Sequence, residues 1–245
     1  RETYKTCMSQ CECAQWLLQA MLSSAQFPDA MRTSKLVPVP KSTAPAALGN
    51  RDMHRGISIS PVFSRLLDRL LNQRLESVVS RLRLRAPTQC GFRPGRGTLD
   101  AIFALHHLTS AAKHMRQLLY VVFVDFRKAF DKVRRGLLLE RCRQLGIHGQ
   151  FMELLVALYD RVCSKVAVGG QLGDTFDTTS GTKQGSELSP ILFGLFIELL
   201  HDLIKLQCPG AGPVLHGLRV PDIMYADDDA LVTHSAAEAQ QLMDV

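Results

Sequence analysis

The sequence predicts an α+β fold, in which helices and strands follow one another without the regular βαβ alternation of a doubly wound sheet. Several stretches have the three- and four-residue apolar spacing of helices, and others are short runs rich in β-branched and aromatic residues. The 245-residue chain is 46% hydrophobic and 21% charged, as ordinary globular proteins are. This composition excludes overall disorder and allows one large domain or two small ones.

The first third of the chain predicts two helices and two strands. Residues 11–25 have helical apolar spacing. The segment LVPVP at 36–40 predicts an edge strand, because its two prolines cannot donate to a central ladder. The alternating segment GISIS at 56–60 predicts another strand, and residues 61–84 predict a long amphipathic helix.

The middle third predicts a buried strand between helices. A loop rich in glycine and arginine at 88–98 precedes a predicted helix at 100–115. The continuous apolar run LLYVVFV at 118–124 is typical of a buried strand. Helical spacing then predicts helices at 136–145 and 150–161.

The last third predicts two pairs of strands around a helix. Residues 163–168 and 176–179 flank a Gly-Gly turn signal and predict a hairpin. A Ser-Pro start predicts a long apolar helix at 189–206. Strands at 223–225 and 230–233 flank an acidic turn. The remaining predicted elements are a short strand at 217–220 and a helix at 236–243.

The charge of the chain favours a polyanionic partner. The formal net charge is +6 and the sequence pI is about 9.0. Arginines lie along the polar face of the predicted helix at 61–84 and just beyond it, so this face either is solvated or contacts phosphates. These arginines are Arg65, Arg69, Arg74, Arg81, Arg83 and Arg85.

Cysteine usage and hydropathy narrow the class of protein further. The seven cysteines are odd in number and irregularly spaced, which favours free thiols in a reducing compartment. The cluster Cys7, Cys11 and Cys13 has no second ligand pair at zinc-finger spacing, so a metal site there is the weaker interpretation. The longest apolar stretch, 188–200, contains Glu198 and is too short to span a bilayer.

Carboxylates occur at the ends of predicted strands in two places. Asp125 ends the buried strand, and the segment Tyr225-Ala226-Asp227-Asp228-Asp229 forms the acidic turn. Taken alone, Asp125 could be a helix cap and the turn could be an ordinary solvated turn. The two segments are 227 − 125 = 102 residues apart, so only the fold can bring them together. If they meet, they can hold two Mg²⁺ ions roughly 3.5–4 Å apart for phosphoryl transfer.

Cationic side chains suited to a triphosphate accompany these carboxylates. The candidates are Lys41, Arg55 and Lys183, each of which lies in or beside a predicted loop or strand end. A two-metal nuclease is disfavoured, because no histidine or glutamate near the acidic turn could activate a water molecule.

A series of motifs resembles the reverse transcriptases of non-LTR (LINE-type) retrotransposons, with group II intron enzymes as cousins. Residues 225–228 are similar to the YADD box of that family. The other segments follow in the family's order and together extend over nearly the whole chain. They are LVPVPK at 36–41, RGIS at 55–58, QCGFRPGRGTLDAI at 89–102, residues 123–131, and GTKQGSELSPILF at 181–193.

The resemblance implies the right-hand polymerase fold, with fingers and palm. The fingers would comprise about 1–97 and 133–187, and the palm about 98–132 and 188–245. The palm would contain a ferredoxin-like antiparallel sheet backed by the helices at 100–115 and 189–206. Because the chain ends just after the YADD hairpin, we expect a piece of a longer protein that lacks the thumb and later domains.

The resemblance also assigns roles to individual residues. The catalytic and metal-binding residues would be Asp125, Asp227 and Asp228. Phe130 matches the bulky residue that blocks a ribose 2′-OH, and so selects dNTPs. The nucleotide-binding set would be Lys41, Arg55, Phe126, Phe130 and Gln184. The template- and primer-binding set would be Gln89, Arg93, Arg96, Lys183 and Tyr225.

The implied function is RNA-directed DNA synthesis during retrotransposition. Two Mg²⁺ ions, for which Mn²⁺ could substitute, would support transfer of dNTPs to a DNA primer on an RNA template. We expect no membrane partner and, from the resemblance, a nuclear location. The alternative is a catalytically inactive RNA-binding relic or maturase-like module. This alternative is favoured by the truncation and by Glu187, which stands where the family usually has proline.

Overall fold

The computed structural model describes residues 2–42, 49–50, 53–183 and 185–245, with side chains described from residue 12 onward. The chain divides into two compact units, each made of two segments. The first unit comprises Arg1–Gln73 and Val133–Ser189, and the second comprises Arg74–Lys132 and Pro190–Val245. The first boundary between the units therefore follows residue 73. The assignment of fingers and palm, with its first boundary after residue 97, stays a prediction.

The element order confirms the predicted α+β class. The helices are α1 Glu2–Ser24, α2 Val62–Arg81, α3 Thr98–His114, α4 Ala129–Lys132, α5 Arg135–Gln144, α6 Gly149–Tyr159, α7 Ser189–Gln207 and α8 Ala236–Met243, with a 3₁₀ turn at Asp29–Met31. The strands are β1 Thr33–Pro40, β2 His54–Ile59, β3 Tyr120–Asp125, β4 Cys163–Val168, β5 Gln171–Asp177, β6 Val214–Leu215, β7 Leu218–Arg219, β8 Asp222–Tyr225 and β9 Asp228–Thr233.

The first unit contains a four-stranded sheet in the order β2-β1-β4-β5. The prediction of an edge strand at 36–40 is wrong for β1 as a whole, since β1 lies between β2 and β4. The parallel partner β4 pairs with β1 only from Thr33 to Leu36, whereas β2 pairs with it as far as Pro40. Pro38 and Pro40 thus have a strand on one side only, which is the condition that proline requires.

The hairpin predicted after residue 163 is present as β4 and β5. Gly169 and Gly170 form its turn with φ angles of +58° and +80°. Two successive positive φ angles suit a two-residue turn whose twist matches that of the strands. The second strand accordingly begins at Gln171, directly after the turn, and not at the predicted residue 176.

The second unit is built on a three-stranded antiparallel sheet in the order β3-β9-β8. Leu108 of α3 packs with Ile223, Ala230 and Val232 of the sheet. Leu231, the strand residue between Ala230 and Val232, instead packs with Ile204 of α7 and with Leu242 of α8. Because alternate strand residues point to opposite faces, α3 covers one face of the sheet, and α7 and α8 cover the other. The predicted helices do back the sheet, but on its two faces.

The arginine-rich face of α2 is mostly exposed. Arg85, which lies beyond the end of the helix, is an exception, because it is only 6% exposed and its guanidinium lies 2.6 Å from the Glu76 carboxylate. The other five arginines are exposed.

The described cysteines are free thiols, namely Cys13, Cys90, Cys142, Cys163 and Cys208. The side chains of Cys7 and Cys11 lie outside the described residues, so the structure does not describe a site at that cluster. Within the described part of the chain, no helix is both long enough and apolar enough to cross a membrane.

Candidate active site

The fold of the second unit brings the two predicted carboxylate segments together. Asp125 is the last residue of β3, and Asp228 is the first residue of β9. These two residues are direct partners in the antiparallel pairing of β3 with β9, and Tyr225 of β8 lies opposite Asp228 on the other side. Asp125 and Asp228 are both exposed. These two residues are 228 − 125 = 103 positions apart in the sequence. The fold thus makes them neighbours at one edge of the sheet.

The turn between β8 and β9 is held in a left-handed conformation. Ala226 has a φ of +60°, which costs a non-glycine residue about 1 kcal/mol or more. The surroundings offset this cost: the Gln89 side chain accepts hydrogen bonds from the backbone N–H of Ala226 at 3.2 Å and of Gly91 at 2.7 Å. The Cys90 N–H also donates to the Met224 carbonyl at 2.8 Å. Asp227 therefore lies in a turn whose backbone is held by hydrogen bonds to Gln89 and Cys90.

Gln89 is placed differently from its predicted role. Its side chain is 1% exposed and holds the backbone of the β8–β9 turn. The predicted contact with a template requires an exposed side chain, so the structure favours a supporting role for Gln89. The neighbouring Arg93 is half-buried and donates to the Ala86 carbonyl at 3.0 Å, whereas Arg96 is exposed.

The donor set at this edge suits a hard divalent cation. Among the described residues, no group of three or more His, Cys, Asp or Glu side chains forms a complete metal site. Mg²⁺ is nevertheless commonly held by one or two carboxylates together with substrate phosphates, in place of a full protein cage. The exposed carboxylates of Asp125 and Asp228 at paired positions fit this pattern.

A largely apolar cavity adjoins the paired carboxylates. Its volume is about 390 Å³. Asp125, Asp228 and the half-buried Tyr225 contribute to its wall, and the apolar lining comes from α3 and the sheet. The apolar residues that line it are Ala101, Ile102, Leu105, Phe123, Val124, Ile223 and Ala230.

Phe130, the predicted 2′-OH gate, is part of a row of rings in the second unit. Its ring stacks on Phe193 at a centroid distance of 4.2 Å and meets the edge of Phe92 at 5.8 Å. Such contacts fix the ring orientation. Phe126, one residue beyond Asp125, is half-buried. The role of Phe130 as a gate stays a prediction, although its fixed orientation is what such a gate requires.

A second group of ionisable side chains lies on the opposite face of the sheet from Asp125 and Asp228. The His201 ring nitrogen Nδ1 lies 2.8 Å from the Asp222 carboxylate. Glu198 accepts the Ala86 N–H at 2.9 Å. Asp229 is 4% exposed, and no described residue forms a well-aligned hydrogen bond with its carboxylate oxygens. Burial, followed by the charge of Asp222, raises the pKa of Asp229 to about 7.

The remaining predicted residues belong to the first unit. Lys41 and Arg55 are exposed at the same end of the β1–β2 pair, where Val39 lies opposite Arg55. Lys183 is half-buried, and burial lowers its pKa while the charge of Asp68 opposes this shift. Gln184 lies outside the described residues. The second unit thus gathers Asp125, Asp227, Asp228, Tyr225, Gln89, Phe126 and Phe130, together with Arg93 and Arg96.

Several buried polar residues could not be singled out from the sequence. Asp68, His201 and Asp222 are polar residues in apolar segments, and all three are buried. Their position among apolar neighbours is the only signal in the sequence, since a buried carboxylate usually has a specific partner. For Glu198, the sequence indicates only a charge within an apolar stretch.

Comparison with known proteins identifies relatives over most of the chain. A family model described as reverse transcriptase (RNA-dependent DNA polymerase) matches residues 39–245. A retrovirus-related Pol polyprotein from the type-1 retrotransposable element R2 of Popillia japonica is 32% identical over 201 residues, covering 81% of this chain and 27% of the relative. The corresponding polyprotein of the type-2 element R2DM of Drosophila melanogaster is 27% identical over 229 residues, covering 93% and 21%. The chain therefore spans about a quarter of the length of these relatives.

Solved structures with a similar fold come from telomerases. The telomerase of Candida albicans, in complex with a TWJ fragment of telomeric RNA, matches with a TM-score of 0.61 at 13% identity and covers 93% of this chain and 42% of that one. An apo telomerase of Candida tropicalis, truncated from its C-terminal domain, matches with a TM-score of 0.59 at 13% identity, covering 89% and 46%. At this identity, the similarity concerns the fold alone.

Proposed function

Because the chain belongs to the reverse transcriptase (RNA-dependent DNA polymerase) family, we propose that it carries the catalytic carboxylates of an RNA-directed DNA polymerase. The reaction joins a dNTP to the 3′-OH of a DNA primer annealed to an RNA template, in retrotransposition. The observation that carries this proposal is the pairing of Asp125 with Asp228 at an exposed sheet edge beside Asp227. The activity and partners of the whole protein are part of the proposal, since the chain spans only a quarter of its relatives.

The carboxylates of Asp125, Asp227 and Asp228 would hold two Mg²⁺ ions, for which Mn²⁺ can substitute. When bound, the ions would activate the attacking hydroxyl and neutralise charge on the leaving pyrophosphate. The chain's own residues supply the positioning. The exposed cations Lys41 and Arg55 would bind the triphosphate, Phe130 would exclude a 2′-OH, and Arg93 and Arg96 would contact the template.

The alternative of an RNA-binding module without catalysis is less well supported. A relic under no catalytic constraint has no need to keep two like charges at directly paired strand positions, because such charges repel each other. Asp125 and Asp228 are also exposed, so neither serves as a buried structural carboxylate. Their arrangement is accounted for by a cation and phosphates between them.

Primer extension by the full-length protein tests the proposal. We expect template-dependent extension of a DNA primer on RNA with dNTPs and Mg²⁺, and a loss of roughly 1000-fold in Asp228→Asn, because metal-assisted charge stabilisation is worth several kcal/mol. Asp174→Asn, which changes an exposed aspartate of β5, is the matched control and should extend normally. Extension that persists in Asp228→Asn would contradict the assignment of this carboxylate.

A second arm of the same assay addresses nucleotide selection. Phe130→Val should increase the use of rNTPs relative to dNTPs, since a smaller side chain leaves room for a 2′-OH. Phe103→Leu is the control, because Phe103 is an exposed phenylalanine of α3 whose ring stacks on His107 and not on Phe130. Unchanged sugar selectivity in Phe130→Val would contradict the gate.

A further inference from the structure

The loop that precedes α7 is tied to α2 by a buried carboxylate. This loop, called the pre-α7 loop, consists of residues 178–183 and 185–188. The Ser186 hydroxyl donates to the Asp68 carboxylate at 2.5 Å, and the same hydroxyl accepts the Leu188 N–H at 3.2 Å. Asp68 is 4% exposed and Ser186 is 7% exposed. A hydrogen bond to a buried charged group is among the stronger polar contacts in proteins.

Asp68 is a buried carboxylate on the apolar side of α2. It is adjacent to Leu67 on the buried side of the helix, which also carries Leu71. A carboxylate in such a position is costly unless it has a specific partner. Burial raises the pKa of Asp68, whereas the Ser186 hydrogen bond and the positive charge of Lys183 lower it. Its hydrogen-bond partner is therefore Ser186 of the pre-α7 loop, and the charge of Lys183 in the same loop favours the ionised carboxylate.

The next residue of α2 makes a second link to the same loop. Arg69 Nε lies 3.9 Å from Glu187 Oε2, with side-chain exposures of 64% and 50%. An ion pair this exposed adds little stability. It does place a positive charge beside Glu187, the residue that stands where the family usually has proline. The positive charge of Arg69 thus lies beside the negative charge that Glu187 introduces at this position.

The backbone on either side of residue 184 is also fixed. The Lys183 carbonyl accepts the Ser189 hydroxyl at 2.7 Å and the Ser186 N–H at 3.0 Å. Gly185 has a φ of +102°, and a Cβ added there would lie 2.4 Å from the Ser58 carbonyl oxygen. Only glycine fits at this position, and the loop therefore sits directly on β2, the strand that carries Arg55.

The upstream end of the loop is anchored by Arg135 of α5. Its guanidinium donates to the carbonyls of Gly181 and Ser180 at 3.0 and 3.1 Å, and to that of Thr178. It also lies over the Tyr159 ring, 5.5 Å from the centroid. Arg135 thus binds the first part of the loop, at residues 178–181, and Asp68 binds its last part, at Ser186.

We propose that Asp68 is a positioning residue for the incoming nucleotide: it holds the pre-α7 loop against β2 and thereby keeps the nucleotide contacts of this unit in place. The inference rests on the proposed polymerase function and deepens it. Asp68 is buried and acts through Ser186, whose hydroxyl donates to its carboxylate. Small displacements of such contacts reduce the productive fraction of bound substrate, because reaction depends on geometry at the level of about 1 Å.

Steady-state extension kinetics of the full-length protein test this role. In Asp68→Ala we expect the KM for dNTPs to rise roughly 10–100-fold with a smaller change in kcat. Asp68→Asn keeps an acceptor for Ser186 without the charge and should be intermediate, and Asp68→Glu should restore part of the affinity. Asp174→Asn should match the unmodified protein. An unchanged KM in folded Asp68→Ala, or equal losses in Asp68→Ala and Asp174→Asn, would overturn the proposal.

Amide hydrogen exchange separates this inference from the proposed function. Asp68→Ala should accelerate exchange selectively at Ser186, Leu188 and Ser189, whose N–H groups donate to Lys183 or Ser186. It should leave the β3–β9 pairing unaffected. If the unmodified protein does not extend primers, the proposed function is wrong. The exchange result then tests, by itself, whether Asp68 holds the pre-α7 loop in place. Unchanged exchange in the loop, or uniform acceleration throughout the chain, would then count against it.

Discussion

The three consecutive aspartates of the β8–β9 hairpin differ in what surrounds them. Asp228 is exposed beside Asp125, whereas the next residue, Asp229, is 4% exposed on the opposite face of the sheet. The alternation of strand residues produces this difference, since neighbours on a strand point to opposite faces. Burial and the charge of Asp222 raise the pKa of Asp229 to about 7. Its side chain lies on the same face of the sheet as Asp222, and not on the face that carries Asp125 and Asp228.

This burial makes the stability of the protein depend on pH through Asp229. A folded-state pKa raised above the ordinary value of 3.8 stabilises the fold at low pH, and that contribution is lost as the pH rises through about 7. We expect the free energy of unfolding to fall by about 2–4 kcal/mol from pH 4 to pH 8 on account of this group. Asp229→Asn should remove this part of the dependence and be the more stable protein at pH 8.

Urea unfolding at several pH values measures the effect. Asp174→Asn is the control, because Asp174 is exposed, and it should keep the pH dependence of the unmodified protein. If Asp229→Asn and the unmodified protein lose stability equally as the pH rises, Asp229 does not carry a proton in the folded state near neutrality.

Sequence reasoning located the exposed carboxylates but not the buried ones. Asp125 and Asp228 follow from the position of carboxylates at the ends of apolar strands, a local pattern that survives folding. The position of Gln89 could not be predicted in this way. The residues around it in the sequence do not indicate that its side chain is buried against the turn at Ala226. The roles of Asp68 and Asp222 depend on partners far away in sequence, which no local pattern reveals.

At the scale of elements, the β8–β9 turn depends on a close contact with the segment at 89–91. Gly91 lies so near the turn that an added Cβ would be 2.1 Å from the Ala226 nitrogen and 2.7 Å from its Cα. Backbone atoms cannot yield as a flexible side chain can. Gly91 is therefore explained by its distance from Ala226 and not by its own backbone angles.

Gly91→Ala should displace the turn that presents Asp227. We expect a loss of stability of about 1–3 kcal/mol, typical of overpacking, together with a large loss of primer extension. Gly97→Ala is the matched control in the same segment, because a Cβ there meets nothing closer than an Asp100 carboxylate oxygen at 3.9 Å. Urea unfolding and primer extension measure both variants. Normal extension by Gly91→Ala would show that the turn tolerates displacement.

Predictions of elements were most accurate where the signal is local. Paired glycines predicted the hairpin of β4 and β5, and helical spacing predicted α2 and α7. The position of β1 within its sheet was mispredicted, because the prolines that argue for an edge occupy only the part of the strand beyond the reach of β4. The neighbours of a strand depend on its pairing with strands distant in the sequence. The sequence of one strand alone does not reveal this pairing.

At the scale of the whole molecule, charge and chain topology determine what kind of partner is expected. The chain passes between its two units after residues 73, 132 and 189, so each unit needs segments that are distant in sequence. The formal net charge is +6, and the arginine face of α2 is exposed except for the buried Arg85. Positive charge that is not used internally favours binding to the phosphates of a nucleic acid.

The last prediction concerns the salt dependence of RNA binding, which distinguishes phosphate contacts from a merely solvated face. We expect the logarithm of the association constant for single-stranded RNA to fall with the logarithm of salt concentration with a slope of about −2 or steeper, as contact with three or more phosphates requires. The double variant Arg74→Gln/Arg81→Gln should make this slope shallower by about 0.7 for each phosphate contact that is lost.

Fluorescence anisotropy of labelled RNA at several salt concentrations gives the slopes. Arg143→Gln is the control, because Arg143 is an exposed arginine of α5 that pairs with Glu140 at 3.2 Å, and its removal should leave the slope unchanged. An identical slope in the double variant would mean that Arg74 and Arg81 are only solvated. The net charge would then act on RNA through other residues, of which Arg93 and Arg96 beside the β8–β9 turn are the first to test, since they carry the predicted template contact.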